Sequence, residues 1–391
     1  MADRYRKILL VSNTSFFLHN FLIGLMKRLR GEGFDVEGLA PLDPYSEKLT
    51  DSGFRLFPIR HLDRKGSNPL HDLSLLLELR RIYKKERPDL VLHFTIKPNV
   101  YGSMAAKLAS TKSICTVTGL GWLFTDKSLK AALGGLGYKI LYRIALFSSE
   151  HVVFLNRDDR AFFLSNGLVK NGNCSIIPGS GVNTDTFHPD FCGERGSSLA
   201  GTSFLLIGRM LWDKGVREFI EAASIVKQHQ PTAEFLLLGP IDKENRSAVP
   251  ETAIADWESK RIVQYLGRTD DVRPFICGTD AVVLPSHREG VPSSLLEAMA
   301  MGKPVITTDA PGCKEVVEDG RTGFIAPAKD ARALAECMLR FIELSPTERE
   351  GMGKQAREKV LREFDEKIVV SAYLQLVQNA LRPPKMASDV G

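Results

Sequence analysis

Along the 391-residue chain, short unbroken apolar runs alternate with longer segments in which apolar residues recur every three or four positions. In the first half the runs are KILLVS (7–12), DVEGLAP (35–41), RLFPI (55–59), LVLHF (90–94), SICTVT (113–118), HVVFLN (151–156) and CSIIPG (174–179). Continuous apolar strands separated by helices are the mark of parallel sheets buried on both faces. The intervening segments are amphipathic. In FLHNFLIGLMKRLRGEG (17–33), basic residues gather near the C-terminal end and glycines follow, as a helix end requires.

The alternation pauses at FHPDFCGERGSSLAGT (187–202), whose Pro, Gly and Ser content reads as an interdomain linker. It restarts with SFLLIG (203–208), AEFLLLG (233–239), IVQYLG (262–267), AVVLPS (281–286), PVITT (304–308) and GFIAP (323–327). From Asp330 to about Arg382 only helical patterns follow. The predicted architecture is α/β, with two doubly wound Rossmann-like domains facing each other across a cleft and a helical C-terminal end. The expected boundaries are 1–190 for the first domain, 191–201 for the linker and 202–364 for the second domain, with a C-terminal helix and tail over 365–391 that crosses back to the first domain. Ligands in such sheets bind outside the C-terminal ends of the strands.

Composition narrows the class. At 43% hydrophobic and 25% charged residues the chain is ordinary globular protein. No apolar run approaches the roughly 20 residues that span a bilayer, and ILLV near the N-terminus is too short for a signal-peptide core. The six cysteines (Cys115, Cys174, Cys192, Cys277, Cys313, Cys337) are scattered. That spacing argues against a zinc site or a disulfide framework and for a reducing, cytoplasmic compartment. Of the net charge of +5, the first 190 residues carry a positive excess and the remainder a negative one. A basic half suggests an anionic partner: a phosphate, a nucleic acid or a membrane surface. Nucleic acid is the weakest of these, because the basic residues are dispersed among helices and no reading module is present.

The second half carries the most informative loops. In LLIGRMLWDKG (205–215), Gly208 ends a strand, Arg209 and Lys214 follow, and a helix starts near Gly215. A guanidinium, an ammonium and a helix N-terminus form a site for a diphosphate; the plainer reading is two solvated cations. Glu289 and Glu297 lie in SHREGVPSSLLEAMAMGKPVITT, after another strand of the same half. Ser294 and Glu297 fit a capping box, and Pro292 suits a first helical position. Gly290, Val291 and Pro292 between the two carboxylates offer close backbone approach and free helix-start amides. Arg268, after Gly267, ends a third strand.

GRMLWDKG followed by PSHREGVPSSLLEAMAMGKPVITTDAPGCKEVVEDGRTGF resembles the donor domain of retaining family-4 glycosyltransferases of the GT-B fold. The likeness extends upstream through IPGSGVNTDTFHP and TVTGLGWLF and so covers nearly the whole chain. The resemblance implies that Arg209 and Lys214 hold the diphosphate of a UDP-sugar, that Glu289 meets the sugar and that Glu297 meets the ribose. Gly208, Arg268, Gly290, Val291 and Pro292 complete the expected donor site, with Arg209, Lys214 and Glu289 as its catalytic group. HFTIKPNVYGSMAAKLA and TVTGLG resemble the subgroup that extends glycans on polyprenyl diphosphate, including undecaprenyl-linked N-acetylgalactosaminyltransferases and capsule or O-antigen transferases.

N-acetylgalactosamine is the leading sugar by that resemblance, with galactose, N-acetylglucosamine and glucose behind it. Many members of that family carry His near the position of Thr118, and its absence here counts against a His-based proton role. No D-x-D occurs, so no metal clamp is expected and no cofactor is required. The acceptor side is expected at Ser12, Asn13, Thr14, His19, Lys97, Asn99, Thr118 and Gly119, with Gly121 and Trp122 beyond. Lys97 reads equally well as a solvated lysine, and His19 more readily as a packing residue. Residues 126–147 pair basic with apolar positions and suggest peripheral contact with the anionic inner face of the cytoplasmic membrane. The rival enzyme reading is a UDP-sugar epimerase of the same fold, which needs neither acceptor nor membrane.

Overall fold

Residues 6–63, 68–119, 129–193, 201–243 and 245–382 are described by a computed structural model. The chain divides into two units, one running up to Ser180 and resuming at Val369, the other spanning Gly181–Ile368.

The first unit begins with β1 (Lys7–Val11), α1 (Ser15–Gly31), β2 (Asp35–Ala40), α2 (Ser46–Asp51), β3 (Leu56–Pro58) and α3 (Pro69–Glu86). It continues with β4 (Leu90–Phe94), a π-helical turn over Pro98–Gly102, α4 (Ser103–Leu108), β5 (Lys112–Val117) and α5 (Leu129–Phe147). β6 (His151–Phe154), α6 (Arg157–Ser165) and β7 (Cys174–Ile176) follow. All seven expected strands form one parallel sheet in the order β3-β2-β1-β4-β5-β6-β7. Side chains alternate across it. Ile8, Leu10, Leu92 and Phe94 pack against α1 on one face, while Leu9, Val11 and Val91 pack against α3 and α4 on the other. Cys115 and Val117 continue that second face beneath Tyr142, Ala145 and Leu146 of α5.

Local chemistry sets the helix ends. Thr14 caps α1 by accepting from the Phe17 amide, and Arg28 and Arg30 sit in its last turn. Asn68 caps α3, with Pro69 at its first position.

The second unit runs β8 (Ser203–Ile207), a 3-10 turn over Trp212–Lys214, α7 (Val216–His229), β9 (Glu234–Leu238), α8 (Glu251–Ser259), β10 (Gln264–Tyr265) and α9 (Arg273–Cys277). Then come β11 (Ala281–Leu284), α10 (Ser293–Ala300), β12 (Val305–Thr308), β13 (Gly323–Ala326), α11 (Ala331–Glu343), α12 (Pro346–Glu363) and α13 (Glu366–Leu381). The six expected strands again form a parallel sheet, ordered β10-β9-β8-β11-β12-β13. α7, α8 and α11 cover one face and α9, α10 and α12 the other.

From Val369 onward, α13 belongs to the first unit. It buries Val369, Tyr373, Leu374 and Val377 in the core that α1 shares. Tyr373 Oη lies 3.1 Å from Thr116 Oγ1. Lys112 Nζ and Arg6 donate to the carbonyls of Ala380 and Leu381, where cations complement a helix C-terminus.

Two expectations are corrected. Cys192 and Cys277 form a disulfide with Cα atoms 5.2 Å apart. The partners are 85 residues apart in sequence, so no local spacing announced them, and the cysteine argument for a reducing compartment falls with it. The four free cysteines are buried. The capping box at Ser294 and Glu297 does not form either. α10 starts at Ser293 with Pro292 as its N-cap and no side-chain cap, which places both residues inside the helix.

Tyr373→Ala removes a fully buried aromatic ring from the first unit's core and should lower stability by about 3–5 kcal/mol. Tyr373→Phe, which strands only the Thr116 hydroxyl, should cost about 1–2 kcal/mol. Urea denaturation followed by far-UV circular dichroism checks both values and their order.

Candidate functional site

Each sheet reverses its strand order once, between β1 and β4 in the first unit and between β8 and β11 in the second. Such a switch point opens a crevice at the strands' C-terminal ends, because the loops on either side leave in opposite directions. In the second unit the loop after β8 carries Gly208, Arg209 and Lys214, and the loop after β11 carries Glu289.

Lys214 and Glu289 meet across that crevice. Lys214 Nζ lies 2.5 Å from Glu289 Oε1, with both side chains mostly shielded from solvent. Ser286 Oγ donates to the same oxygen at 2.6 Å. The two loops are joined at further points: the His287 amide donates to Asp213 O at 3.0 Å, and His287 Nε2 lies 2.9 Å from Glu218 Oε1. Gly215 (φ 74°) makes the approach possible, since a Cβ there would stand 2.0 Å from Pro285 O.

The helix that follows Lys214 starts after Gly215 and carries an acidic side chain in its first turn. α7 has Glu218 in its first turn, and that carboxylate accepts from its own backbone amide while holding His287. Its pKa is lowered: burial pushes it up, but the His287 hydrogen bond and the backbone amide outweigh burial. α10, which starts after Gly290, Val291 and Pro292, has no acidic residue in its first turn.

Glu297 sits within α10, where burial pushes its carboxyl up to about 8. The residue keeps some exposed surface. Arg209, about half exposed, pairs with Asp242 at 3.2 Å. Arg268 stands apart from this group. It follows the edge strand β10, two strands from β8, and lies 3.5 Å from Asp270 on the surface.

In the first unit, Ser12, Asn13 and Thr14 follow β1, Lys97 and Asn99 follow β4, and Thr118 and Gly119 follow β5. Ser12 Oγ and Asn99 Oδ1 are buried without partners, while Asn99 Nδ2 holds Thr116 O at 2.7 Å. Thr14 spends its hydroxyl on the α1 cap, and His19 on α1 hydrogen-bonds Asn20 at 2.9 Å. Lys97 is not a loose surface lysine: its Nζ lies 2.7 Å from Asp72 on α3, and Tyr101 Oη donates to the same carboxylate at 2.8 Å. His93, within β4, is fully buried against Tyr83 Oη at 3.0 Å, and burial lowers its pKa to about 3. Gly121, Trp122 and residues 126–128 lie outside the described residues.

Sequence reasoning missed Ser286, Asp242, Asp72 and Thr95. Ser286 was within reach, three positions before Glu289 on the same strand end. Thr95 carries a β-branched side chain at φ 72°, a strained backbone, and its buried hydroxyl has no partner. Nothing in sequence marks that dihedral.

Residues 201–343 match the family model for glycosyl transferases group 1, and residues 7–156 match that for glycosyl transferase 4-like proteins. The chain belongs to the group 1 and 4-like glycosyl transferases. It is similar to the N,N'-diacetylbacillosaminyl-diphospho-undecaprenol alpha-1,3-N-acetylgalactosaminyltransferase of Campylobacter jejuni, at 29% identity over 95% of this chain and 98% of the relative. It is also similar to the UDP-Gal:alpha-D-GlcNAc-diphosphoundecaprenol alpha-1,3-galactosyltransferase of Escherichia coli, at 27% identity over 86% of this chain and 87% of that protein. Anabaena HepE, solved with UDP and glucose, superimposes with a TM-score of 0.76 at 18% identity over 96% of this chain and 100% of its own. This transferase is therefore a hexosyltransferase of the GT-B fold, and both halves of its chain carry the family pattern.

The raised pKa of Glu297 gives the transferase a pH signature. The carboxyl holds its proton longer in the folded state than in the unfolded one, so its contribution to stability is fully present below about pH 4.5 and is lost as pH rises through about 8. Glu297→Gln should therefore gain on the wild type as pH climbs between those values, with the difference level above them. Thermal melting of both ligand-free proteins across pH 5 to pH 9 checks this.

Proposed function

We propose that this transferase moves a sugar, N-acetylgalactosamine by preference, from a UDP-sugar to a hydroxyl of a polyprenyl-diphosphate-linked saccharide, with retention of anomeric configuration. The meeting of Lys214 and Glu289 at the β8/β11 switch point is the observation that carries this reading. The C. jejuni relative, matched along nearly its full length, carries N-acetylgalactosaminyl transfer to an undecaprenol diphosphate in its name, and the E. coli relative names a UDP-sugar donor.

In the proposed reaction the bond from the anomeric carbon to the UDP β-phosphate breaks as the bond to the acceptor oxygen forms. Negative charge grows on the leaving diphosphate. Arg209, Lys214 and the first amides of α10 oppose that charge and hold it more tightly in the transition state than in the bound substrate. The departing phosphate oxygen takes the acceptor's proton. Glu289 then orients the sugar and Glu297 the ribose, neither acting as a hydrolase-like acid or base. Ser286 and Lys214, which both contact Glu289, fix the direction of its carboxylate. The acceptor is assigned to the first unit, and the Lys97–Asp72–Tyr101 cluster with the buried polar groups of Ser12 and Asn99 supports that reading.

A peripheral place on an anionic membrane surface belongs to the same proposal. Helices α3, α4 and α5 lie on one face of the first sheet. They expose Leu73, Leu77, Leu108, Ile140, Ile144 and Phe147 beside Arg81, Lys84, Lys107 and Arg143. The acidic side chains of α3 (Asp72, Glu78 and Glu86) are turned inward to Lys97, His61 and Lys7, and α4 and α5 have none. An exposed layer that is apolar and basic suits anionic lipid. Among the described residues no helix is long and apolar enough to cross a bilayer.

The deciding assay supplies radiolabelled UDP-sugars singly, with a polyprenyl-diphosphate-sugar extract and EDTA. Label should enter the lipid phase from one donor, and Arg209→Ala and Glu289→Ala should each lower kcat/KM by about 100-fold or more. Epimerisation of the UDP-sugar without acceptor, and no lipid labelling, would sink the transfer to lipid.

For the membrane contact, the wild type should co-sediment with phosphatidylglycerol vesicles at low salt and be released at high salt. The Lys84→Glu/Arg143→Glu double variant should bind about tenfold or more weakly, because each surface cation contributes about 1 kcal/mol. Equal binding by both proteins would remove this face from the proposal.

A further inference from the structure

The loop between β9 and α8 is fastened to the loop that carries Arg209. Met210 N donates to Pro240 O at 3.0 Å, Trp212 N to Ser247 O at 2.7 Å, and Val249 N to Met210 O at 3.0 Å. Leu211 and Ala248 form an antiparallel bridge, and Asp213 N reaches Ser247 Oγ at 3.2 Å. The β9 loop is itself braced: Asn245 N donates to Asp242 O at 2.8 Å, and Asn245 Oδ1 accepts from Ser247 N at 2.9 Å. Gly239 lets the two strand ends touch, because at φ 140° a Cβ there would stand 1.9 Å from Gly208 O. Asp242 is thus carried to Arg209 by a built frame rather than by a free side-chain excursion.

That frame puts a carboxylate on the second of the site's two cations. Lys214 already has Glu289, and Arg209 has Asp242 at 3.2 Å. We propose that Asp242 is the resident counter-anion of Arg209, which the incoming diphosphate must displace and which returns as UDP leaves. The inference rests on the reading of Arg209 as a diphosphate ligand. Two acidic groups cannot share one guanidinium edge without repulsion, so the carboxylate opposes the diphosphate for as long as it is bound. Asp242 therefore acts through Arg209 as a positioning residue: it keeps the guanidinium aligned while the site is empty, weakens the grip on UDP and speeds product release.

The test is UDP binding by isothermal titration calorimetry to the wild type, Asp242→Asn, Arg209→Ala and the double variant, with thermal melting to verify folding. Asp242→Asn keeps the shape and removes the charge. It should bind UDP about two- to fivefold more tightly, the range an exposed ion pair supports. It should also show a lower donor KM and stronger inhibition by UDP, with kcat unchanged or reduced. In the Arg209→Ala background the same substitution should give no gain. Unchanged or weaker UDP binding by Asp242→Asn, alongside a clear loss in Arg209→Ala, would overturn the counter-anion role alone. Wild-type affinity in Arg209→Ala would instead overturn the donor-site reading on which it rests. A gain that persists in the double variant would mean that Asp242 acts on the ligand without Arg209, against the proposal.

Discussion

The ion pair between Lys214 and Glu289 depends on a constraint of sheet topology. A doubly wound parallel sheet must reverse its strand order somewhere, and at that point two loops rise from adjacent strands with no helix between them. In the second unit those strands are β8 and β11, and every element of the candidate site is arranged so that their loops can touch. The close pass of Gly215 under Pro285, the His287–Glu218 bond and the backbone bond from His287 to Asp213 all fasten the same seam. Without them, Lys214 and Glu289 would be two surface charges on separate loops, worth little to each other in water.

The seam is close to charge-balanced, and the balance is local. Lys214 faces Glu289, Arg209 faces Asp242, and Glu218 is taken up by His287 and by the start of its own helix. Two helices begin beside the seam, neither with a side-chain N-cap; of the two, α7 carries an acidic residue in its first turn and α10 does not. Glu297 lies deeper in α10, where burial raises its pKa.

The first unit uses the same geometry for neutral and polar groups. Its switch-point strands end in Ser12 and Thr95, each with a buried hydroxyl that has no partner, and Lys97 is drawn back to Asp72. The face bearing α3, α4 and α5 is set by the right-handed return of the chain from β3 to β7, which places every crossover after β3 on one side. α1 and α13 share the other side, so the C-terminal helix completes a core begun by the first strand.

Much of this was legible in the linear chain. Thirteen apolar runs marked thirteen strands, because a strand buried on both faces must be apolar at every position and helices between such strands must be amphipathic. Gly208, Arg209, Lys214 and Glu289 stood out as candidates because strand-end loops collect ligand-binding groups, and their spacing with Glu297 resembles a known family's. What the linear chain did not disclose was pairing. Cys192 with Cys277, Arg209 with Asp242, Lys97 with Asp72 and His287 with Glu218 are all remote in sequence, and only tertiary packing brings each pair together. The Ser294–Glu297 capping box does not form either. α10 begins at Ser293 with Pro292 as its N-cap, so Ser294 lies inside the helix and a local pattern that was sound in isolation is not used. Periodicity alone determined the elements and their layering, whereas long-range contact decided which charges meet, because Coulombic partners are chosen by distance in space and not along the chain.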